Sequence, residues 1–159
     1  MAQQLWLLRH GDAEPHGTRD DHDRKLSERG VEQARAAGQA LAALGFEPTA
    51  VLTSPKVRAR DTAAEACGAL LFKAVEFEPL AGGFDGAAAL DLCGPEHGDR
   101  VLIVGHEPDF SQIVYDLTGA RIDMKKGGLA GIRISSLRRE LIVLMRPHEL
   151  IEIARQGEQ

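Results

Sequence analysis

The sequence predicts an α/β protein, a three-layer sandwich with a mostly parallel central sheet, one antiparallel strand and helices on both faces. Two observations predict it. Short apolar runs, typical of strands covered on both faces, alternate with segments whose apolar residues recur every three or four positions. Near the C-terminus, two apolar runs lie on either side of a short polar stretch, which indicates an antiparallel pair.

The first strand is predicted at Gln4 to Leu8 and ends at Arg9, where a polar loop follows. Ser27 is placed to cap the first helix and Gly45 to end it. Between them apolar residues recur at helical spacing and predict a stripe that covers the sheet, namely Val31, Ala34, Ala37, Leu41 and Leu44.

Ala50 to Thr53 predicts a second buried strand. Ser54 is predicted to cap the next helix, with Pro55 as its first residue, and this helix continues to about Ala69. A strand is then predicted at Phe72 to Phe77, followed by the glycine-rich segment Gly82 to Gly86 and a short helix through Leu92. The remaining predicted elements are a strand at Val101 to Val104, a helix from Pro108 through Leu117, strands at Leu129 to Ile134 and Leu141 to Met145, and a helix after Pro147.

Composition limits the classes of function. A chain of 159 residues with 43% hydrophobic content predicts one domain spanning 1–159. A net charge of -5 disfavours general binding to nucleic acid or membrane surfaces, which favour a basic face. The cysteines, Cys67 and Cys93, are not in a metal-binding or redox spacing, and no signal peptide or membrane span is evident. A cytoplasmic protein is expected.

Polar residues follow three of the predicted strands. Arg9 and His10 follow the first strand, Ser54 and Arg58 the second, and His106 the strand at Val101 to Val104. Ligands of such sheets bind outside the carboxyl ends of the strands, so these groups are expected to meet. Because arginine is permanently charged and repels cations, the cluster suits a tetrahedral dianion such as a phosphoryl group better than a metal. No metal or cofactor is expected.

His10 is placed to attack phosphorus. A histidine must be neutral to act as a nucleophile, and the neighbouring Arg9 and Arg58 disfavour its cationic form and lower its pKa. We expect a carbonyl to hold its other ring nitrogen.

Three motifs, in this order, resemble those of the histidine phosphatase superfamily, the phosphoglycerate mutase-like group. They are R-H-G at Arg9 to Gly11, S-P-x-x-R-A at Ser54 to Ala59, and G-H at Gly105-His106. R-H-G-D-A, together with D-x-x-R-x-L-S at Asp21 to Ser27, is most similar to the short bacterial phosphohistidine phosphatases. The resemblance covers nearly the whole chain.

The resemblance implies a role for each matching residue. His10 would be the nucleophile that becomes phosphorylated, and Arg9, Arg58 and His106 would hold the phosphoryl group. The candidate substrate-binding residues are Arg24, Gly11 and Asp21.

Many larger members have a glutamate after the third strand that protonates an alcohol leaving group, but the corresponding stretch here is P-L-A-G-G-F. Imidazole leaves readily near neutral pH, whereas an alkoxide needs an acid, so this departure favours a phosphohistidine substrate carried by a signalling protein. Asp12 and Asp85 are the possible acids for an ester. The alternatives are a phosphatase for small phosphoesters, with a mutase less favoured, and a non-catalytic module that binds phosphohistidine or phosphate.

Several charged residues have a surface interpretation as well. Arg24 either balances its acidic neighbours or turns inward to bind substrate. The histidines and aspartates of His16 to Asp23 match no metal-ligand spacing, and a solvated loop is expected there. Surface charge is also expected for Arg138 with Arg139 and for Lys125 with Lys126.

Overall fold

The computed structural model describes residues 2–158 and contains a six-stranded sheet in the order β3-β2-β4-β1-β5-β6. β5 runs antiparallel to its neighbours β1 and β6, while the pairs among β1, β2, β3 and β4 are parallel. This confirms the predicted mostly parallel sheet with one reversed strand. The strands are β1 Gln3–Arg9, β2 Ala50–Thr53, β3 Val75–Glu76, β4 Arg100–Gly105, β5 Leu129–Ile134 and β6 Arg139–Met145.

Helices cover both faces of the sheet. The helices are α1 Glu28–Ala43, α2 Val57–Leu70, α3 Gly86–Asp91, α4 Asp109–Thr118 and α5 Pro147–Gly157. Short 3₁₀ turns at Asp21–Asp23 and Glu78–Ala81 were not predicted. The Ser27 hydroxyl accepts a hydrogen bond from the Gly30 N–H at 3.1 Å, so Ser27 caps α1 as predicted.

Alternate side chains of β1 enter two separate cores. Leu5 and Leu7 pack with residues of α3 and α4, whereas Trp6 and Leu8 pack with residues of α1, α2 and α5. All four side chains are buried. Because β1 lies between β4 and β5 and is covered on both faces, its sequence is an unbroken apolar run rather than an alternating one.

The start of α2 differs from the prediction. The helix begins at Val57, with Lys56 at the N-cap position, and Ser54 and Pro55 lie before it. A proline disfavours helical geometry for the residue before it, so Ser54 stays outside the helix. Its hydroxyl accepts a hydrogen bond from the Lys56 N–H at 3.2 Å and contacts His106.

The strand predicted at Phe72 to Phe77 was too long. Only Val75 and Glu76 pair with β2, at its Leu52 and Thr53, and both residues of this edge strand are exposed. Since β2 has only four residues, it offers little backbone for a longer partner.

No helix within residues 2–158 is both long enough and apolar enough to span a membrane. Cys67 and Cys93 are both free thiols.

Candidate active site

The carboxyl ends of three parallel strands hold the candidate site. The His10 N–H donates to the Gly105 carbonyl at 3.0 Å, and the Ser54 N–H donates to the Val104 carbonyl at 2.9 Å. These backbone bonds set the loops after β1 and β2 against the end of β4. As a result, the imidazole centroids of His10 and His106 are 5.3 Å apart.

His10 is buried, with 6% of its surface exposed. Its Nδ1 lies 2.7 Å from the Gly11 carbonyl oxygen, and because a carbonyl can only accept, Nδ1 carries the hydrogen and Nε2 carries the lone pair. Burial, followed by the charges of Arg58, Arg9 and Lys126, lowers the pKa of His10 to about 4, against the opposing effect of the Gly11 carbonyl. The ring is therefore neutral at pH 7.

The second histidine, His106, has a defined partner on one side only. Its Nε2 lies 2.7 Å from the Ser54 hydroxyl, which also accepts a hydrogen bond from the Lys56 N–H. When the hydroxyl donates to Nε2, the ring carries its hydrogen on Nδ1. Burial, then the neighbouring His10 and Arg58, lower the pKa of His106 to about 3, so this ring is neutral as well.

A pocket of about 420 Å³ opens at this edge of the sheet. All four residues assigned to phosphoryl transfer line it, and so does Arg24, whose side chain is 8% exposed and turns inward. The lining residues are Arg9, His10, Ala13, Glu14, Pro15, His16, Arg24, Lys56, Arg58, Ala81, Gly82, Gly83, His106, Glu107, Pro108, Asp109 and Lys126.

Three buried nitrogens of residues that line this pocket have no hydrogen-bond partner. Within residues 2–158, four buried side-chain polar atoms lack a hydrogen bond, and three of them belong to residues of the pocket lining, namely Arg9 Nε, Arg58 Nε and His106 Nδ1. Buried donors are seldom left unpaired, because each costs free energy. Donors without acceptors, two of them cationic, are complementary to an oxyanion.

Asp21 anchors the cations of the pocket. Its carboxylate accepts from Arg24 Nε at 3.1 Å and lies 3.3 Å from both Arg58 Nη2 and Lys56 Nζ. Although partial burial opposes it, the hydrogen bond from Arg24 and the charges of Arg58 and Lys56 hold the pKa of Asp21 well below its usual range. Asp21 does not line the pocket, so its position suits holding these side chains rather than contacting substrate.

Gly11 does not line the pocket either. Its N–H donates to the Thr62 hydroxyl at 3.1 Å, and a Cβ built on Gly11 would lie 2.6 Å from the Gly30 carbonyl oxygen. The glycine therefore allows the loop after β1 to lie directly on α1. Gly105 likewise makes room for the buried ring of Phe110, which a Cβ would approach at 2.9 Å.

The two candidate acids, Asp12 and Asp85, are absent from the pocket lining. The Asp12 carboxylate accepts from the Ser27 hydroxyl at 2.7 Å, and the Asp85 carboxylate caps α3 by accepting from the Ala88 N–H at 2.9 Å. Both carboxylates support local structure outside the pocket.

Five charged residues of the lining were not assigned to the site from sequence, and they are Glu14, Lys56, Glu107, Asp109 and Lys126. Lys56 lies inside the S-P-x-x-R motif and Glu107 directly follows His106, so their positions in the motifs were the available signals. Lys126 comes from the loop before β5, where surface charge was predicted. Within the described residues, no group of three or more His, Cys, Asp or Glu side chains converges to hold a metal ion.

Comparisons with known proteins agree with this fold. The model of the histidine phosphatase superfamily, branch 1, matches residues 5–81. An uncharacterized protein of Picosynechococcus sp. is 30% identical, with 93% of this chain and 99% of that one covered. The protein histidine phosphatase SixA, solved with tungstate, superposes with a TM-score of 0.82 at 26% identity, covering 92% and 99% of the two chains.

SixA from Nakamurella multipartitia superposes with a TM-score of 0.74 at 27% identity, with 92% of this chain and 97% of that one covered. These likenesses extend over almost the entire chain, beyond the N-terminal part matched by the family model. The chain therefore belongs to the histidine phosphatase superfamily, close to the SixA phosphohistidine phosphatases, and is a phosphatase.

Proposed function

We propose that the protein hydrolyses phosphohistidine on other proteins through a covalent phosphohistidine at His10, without a metal ion or cofactor. The observation that carries the proposal is the environment of His10. Its Nε2 is unprotonated, because Nδ1 donates to the Gly11 carbonyl, and three buried nitrogens of residues in the same pocket, Arg9 Nε, Arg58 Nε and His106 Nδ1, have no hydrogen-bond partner. A nucleophile and an oxyanion cradle thus share one pocket.

In the first step, the lone pair of His10 Nε2 attacks phosphorus in line with the bond to the substrate imidazole. The new N–P bond forms as the old one breaks, and the substrate imidazole, already protonated from solvent on its other ring nitrogen, leaves as a neutral ring. Charge on the three transferring oxygens is held by Arg9, Arg58 and His106 Nδ1–H, with Arg24 and Lys56 adding positive potential. Because these cations supply the charge, no metal ion is required.

In the second step, water attacks the phosphorus held on His10. The N–P bond to Nε2 breaks, inorganic phosphate leaves, and the proton lost by the water passes to solvent. Burial keeps the pKa of His10 at about 4, which restores the neutral ring for the next cycle.

The carboxylates of the pocket favour a leaving group that needs no acid. Glu14 accepts from the Lys25 N–H at 2.7 Å, which lowers its pKa, and Asp109 accepts from the Phe84 N–H at 3.1 Å. Glu107 accepts from both the N–H and the hydroxyl of Ser111. Each of these carboxylates already accepts a hydrogen bond from the protein. An imidazole can leave phosphorus without help from a carboxylic acid, whereas an alkoxide cannot.

The relatives support the same substrate class. SixA is a protein histidine phosphatase and binds tungstate, which is a tetrahedral oxyanion like phosphate. The pocket described above suits that shape and charge.

The test measures phosphate release, with a chelator present, from a histidine-phosphorylated phosphotransfer domain and from an aryl phosphate. His10→Ala removes the nucleophile, and His22→Ala is the control because His22 is exposed and outside the pocket. We expect faster turnover of the phosphoprotein, abolished only by His10→Ala, and a phosphoryl group on Nε2 of His10 after an alkaline quench.

Other outcomes identify the alternatives. Preference for the ester, with rates that depend little on the pKa of the leaving phenol, would indicate a small-molecule phosphatase with an acid in place. Release from neither substrate would indicate a binding module that recognises phosphate without turnover.

A further inference from the structure

A second pocket, of about 440 Å³, adjoins the catalytic pocket. Arg9 and Lys126 line both pockets, so the two are adjacent. Cations dominate the second lining and come from the end of β1, the start of α1, the loop before β5 and the start of α5. We call it the basic pocket, and its basic residues are Arg9, Arg29, Lys125, Lys126, Arg146 and His148.

The cations of the basic pocket are available to a ligand. Arg29 is exposed, and no carboxylate of residues 2–158 lies within 4.0 Å of its guanidinium group. Lys125 pairs with Asp123 at 2.8 Å, Arg146 with Glu149 at 2.7 Å, and Lys126 with Asp12, a carboxylate of the same lining, at 3.8 Å. The side chains of Lys125 and Arg146 are more than half exposed, and that of Lys126 is 49% exposed. Exposed ion pairs of this kind contribute little free energy, so these cations can exchange partners.

This local charge opposes the charge of the whole molecule. The chain carries a net charge of -5, yet five arginines and lysines and one aspartate, Asp12, line the pocket beside the catalytic one. A patch of opposite sign next to a site attracts ligands that carry negative charge over an extended area, and it increases their rate of association.

We propose that the basic pocket binds acidic side chains of the same protein that presents phosphohistidine to His10, an inference that rests on the proposed function. With phosphohistidine seated beside His10, neighbouring residues of the partner pass over Lys126 into the basic pocket. Carboxylates there would pair with Arg29 and Lys125. The partner is thus a protein with aspartates or glutamates on the surface around its phosphorylated histidine.

The structure of the pocket favours carboxylates spread over a protein surface rather than one small anion. Arg29, Lys125, Arg146 and His148 are all exposed, whereas a site built for a single phosphate would present buried donors. The partly buried cation of the lining, Arg9, belongs to the catalytic pocket.

The experiment compares two synthetic peptides, one with aspartates flanking a single phosphohistidine and one with asparagines at the same positions. The test variant is the double substitution Arg29→Glu with Lys125→Gln. The control, Arg138→Glu with Arg139→Gln, changes the charge equally in the exposed hairpin at the opposite end of the sheet. Neither pair belongs to the catalytic pocket.

For the wild type at low salt, we expect kcat/KM to be about tenfold higher for the acidic peptide, with the advantage shrinking as ionic strength rises. The test variant should lose the advantage and hydrolyse the neutral peptide at the wild-type rate, which also shows that it is folded. The control variant should keep the advantage.

Two results would overturn the inference alone: equal hydrolysis of both peptides by the wild type, or an advantage that survives in the test variant. Hydrolysis of neither peptide by the wild type would instead overturn the proposed function, and this inference with it.

Discussion

Asp21 holds Arg58 at two points. Arg58 Nη1 donates to the main-chain carbonyl of Asp21 at 2.7 Å, and Arg58 Nη2 lies 3.3 Å from its carboxylate. Arg24 donates to the same carboxylate from Nε at 3.1 Å and from Nη2 at 3.0 Å. Two buried arginines that line the catalytic pocket, Arg24 in the loop before α1 and Arg58 in α2, therefore share one anchor.

Asp21→Asn should lower kcat/KM for phosphohistidine by about tenfold, because small displacements of charged groups from a transferring phosphoryl weaken its stabilisation in the transition state. The measurement is steady-state kinetics, with the inhibition constant of inorganic phosphate as a readout of anion binding. Asp20→Asn, an adjacent exposed aspartate, is the control. Equal kinetics and phosphate inhibition in wild type and Asp21→Asn would show that Asp21 does not position the arginines.

Ser54→Ala should reduce kcat by about tenfold, because a hydroxyl that donates to Nε2 holds His106 in the tautomer that donates from Nδ1, and the Ser54 hydroxyl lies 2.7 Å from that nitrogen. Nitrogen chemical shifts of the His106 ring report that tautomer directly, and we expect Nδ1–H in the wild type and a mixture in the variant. Ser135→Ala, in the β5–β6 hairpin, serves as the control. An unchanged tautomer together with unchanged kcat would contradict this role.

Acidification from pH 7 to 5 should destabilise the protein. The folded-state pKa values of His10 and His106 are about 4 and about 3, so the unfolded chain, in which histidine titrates near 6.5, takes up the protons first. The contribution of each histidine to the free energy of unfolding is therefore fully present above pH 6.5. It falls by about 2 kcal/mol between there and pH 5.

Urea unfolding at pH 7, 6 and 5 measures this dependence. His106→Asn should remove about half of the loss, whereas the exposed His22→Asn should leave it unchanged. A free energy of unfolding that is independent of pH over this range would contradict burial of the two neutral rings.

Gly30→Ala should destabilise the protein by about 3 kcal/mol, although alanine is the better helix former. A Cβ on Gly30 would lie 1.9 Å from the Asp12 carbonyl oxygen in the loop that follows His10. The matched control is Gly68→Ala in α2, where a Cβ meets nothing within 4 Å and a gain of about 1 kcal/mol is expected. Thermal or urea unfolding would distinguish the two, and a stabilised Gly30→Ala would refute the close approach.

The placement of His10, Arg58 and His106 at one sheet edge was predictable because parallel strands end on the same side. The predicted β3 was too long, since only pairing with the short β2 decides where that strand ends. The candidate acid Asp85 shows a different limit. A side chain that caps a helix and one that faces a pocket look alike in sequence.

By itself, the sequence determined the order of strands and helices, the reversed strand and the motif residues that gather at the pocket, because hydrophobic periodicity and turn residues act locally. The tertiary structure decided what depends on residues distant in the chain. Asp21 meets Arg58 37 positions away, His106 meets Ser54 52 positions away, and Lys126 reaches the pocket lined by His10. Such contacts depend on the packing of the loops after β1, β2 and β4, so the partner of each buried polar group is settled only in the folded chain.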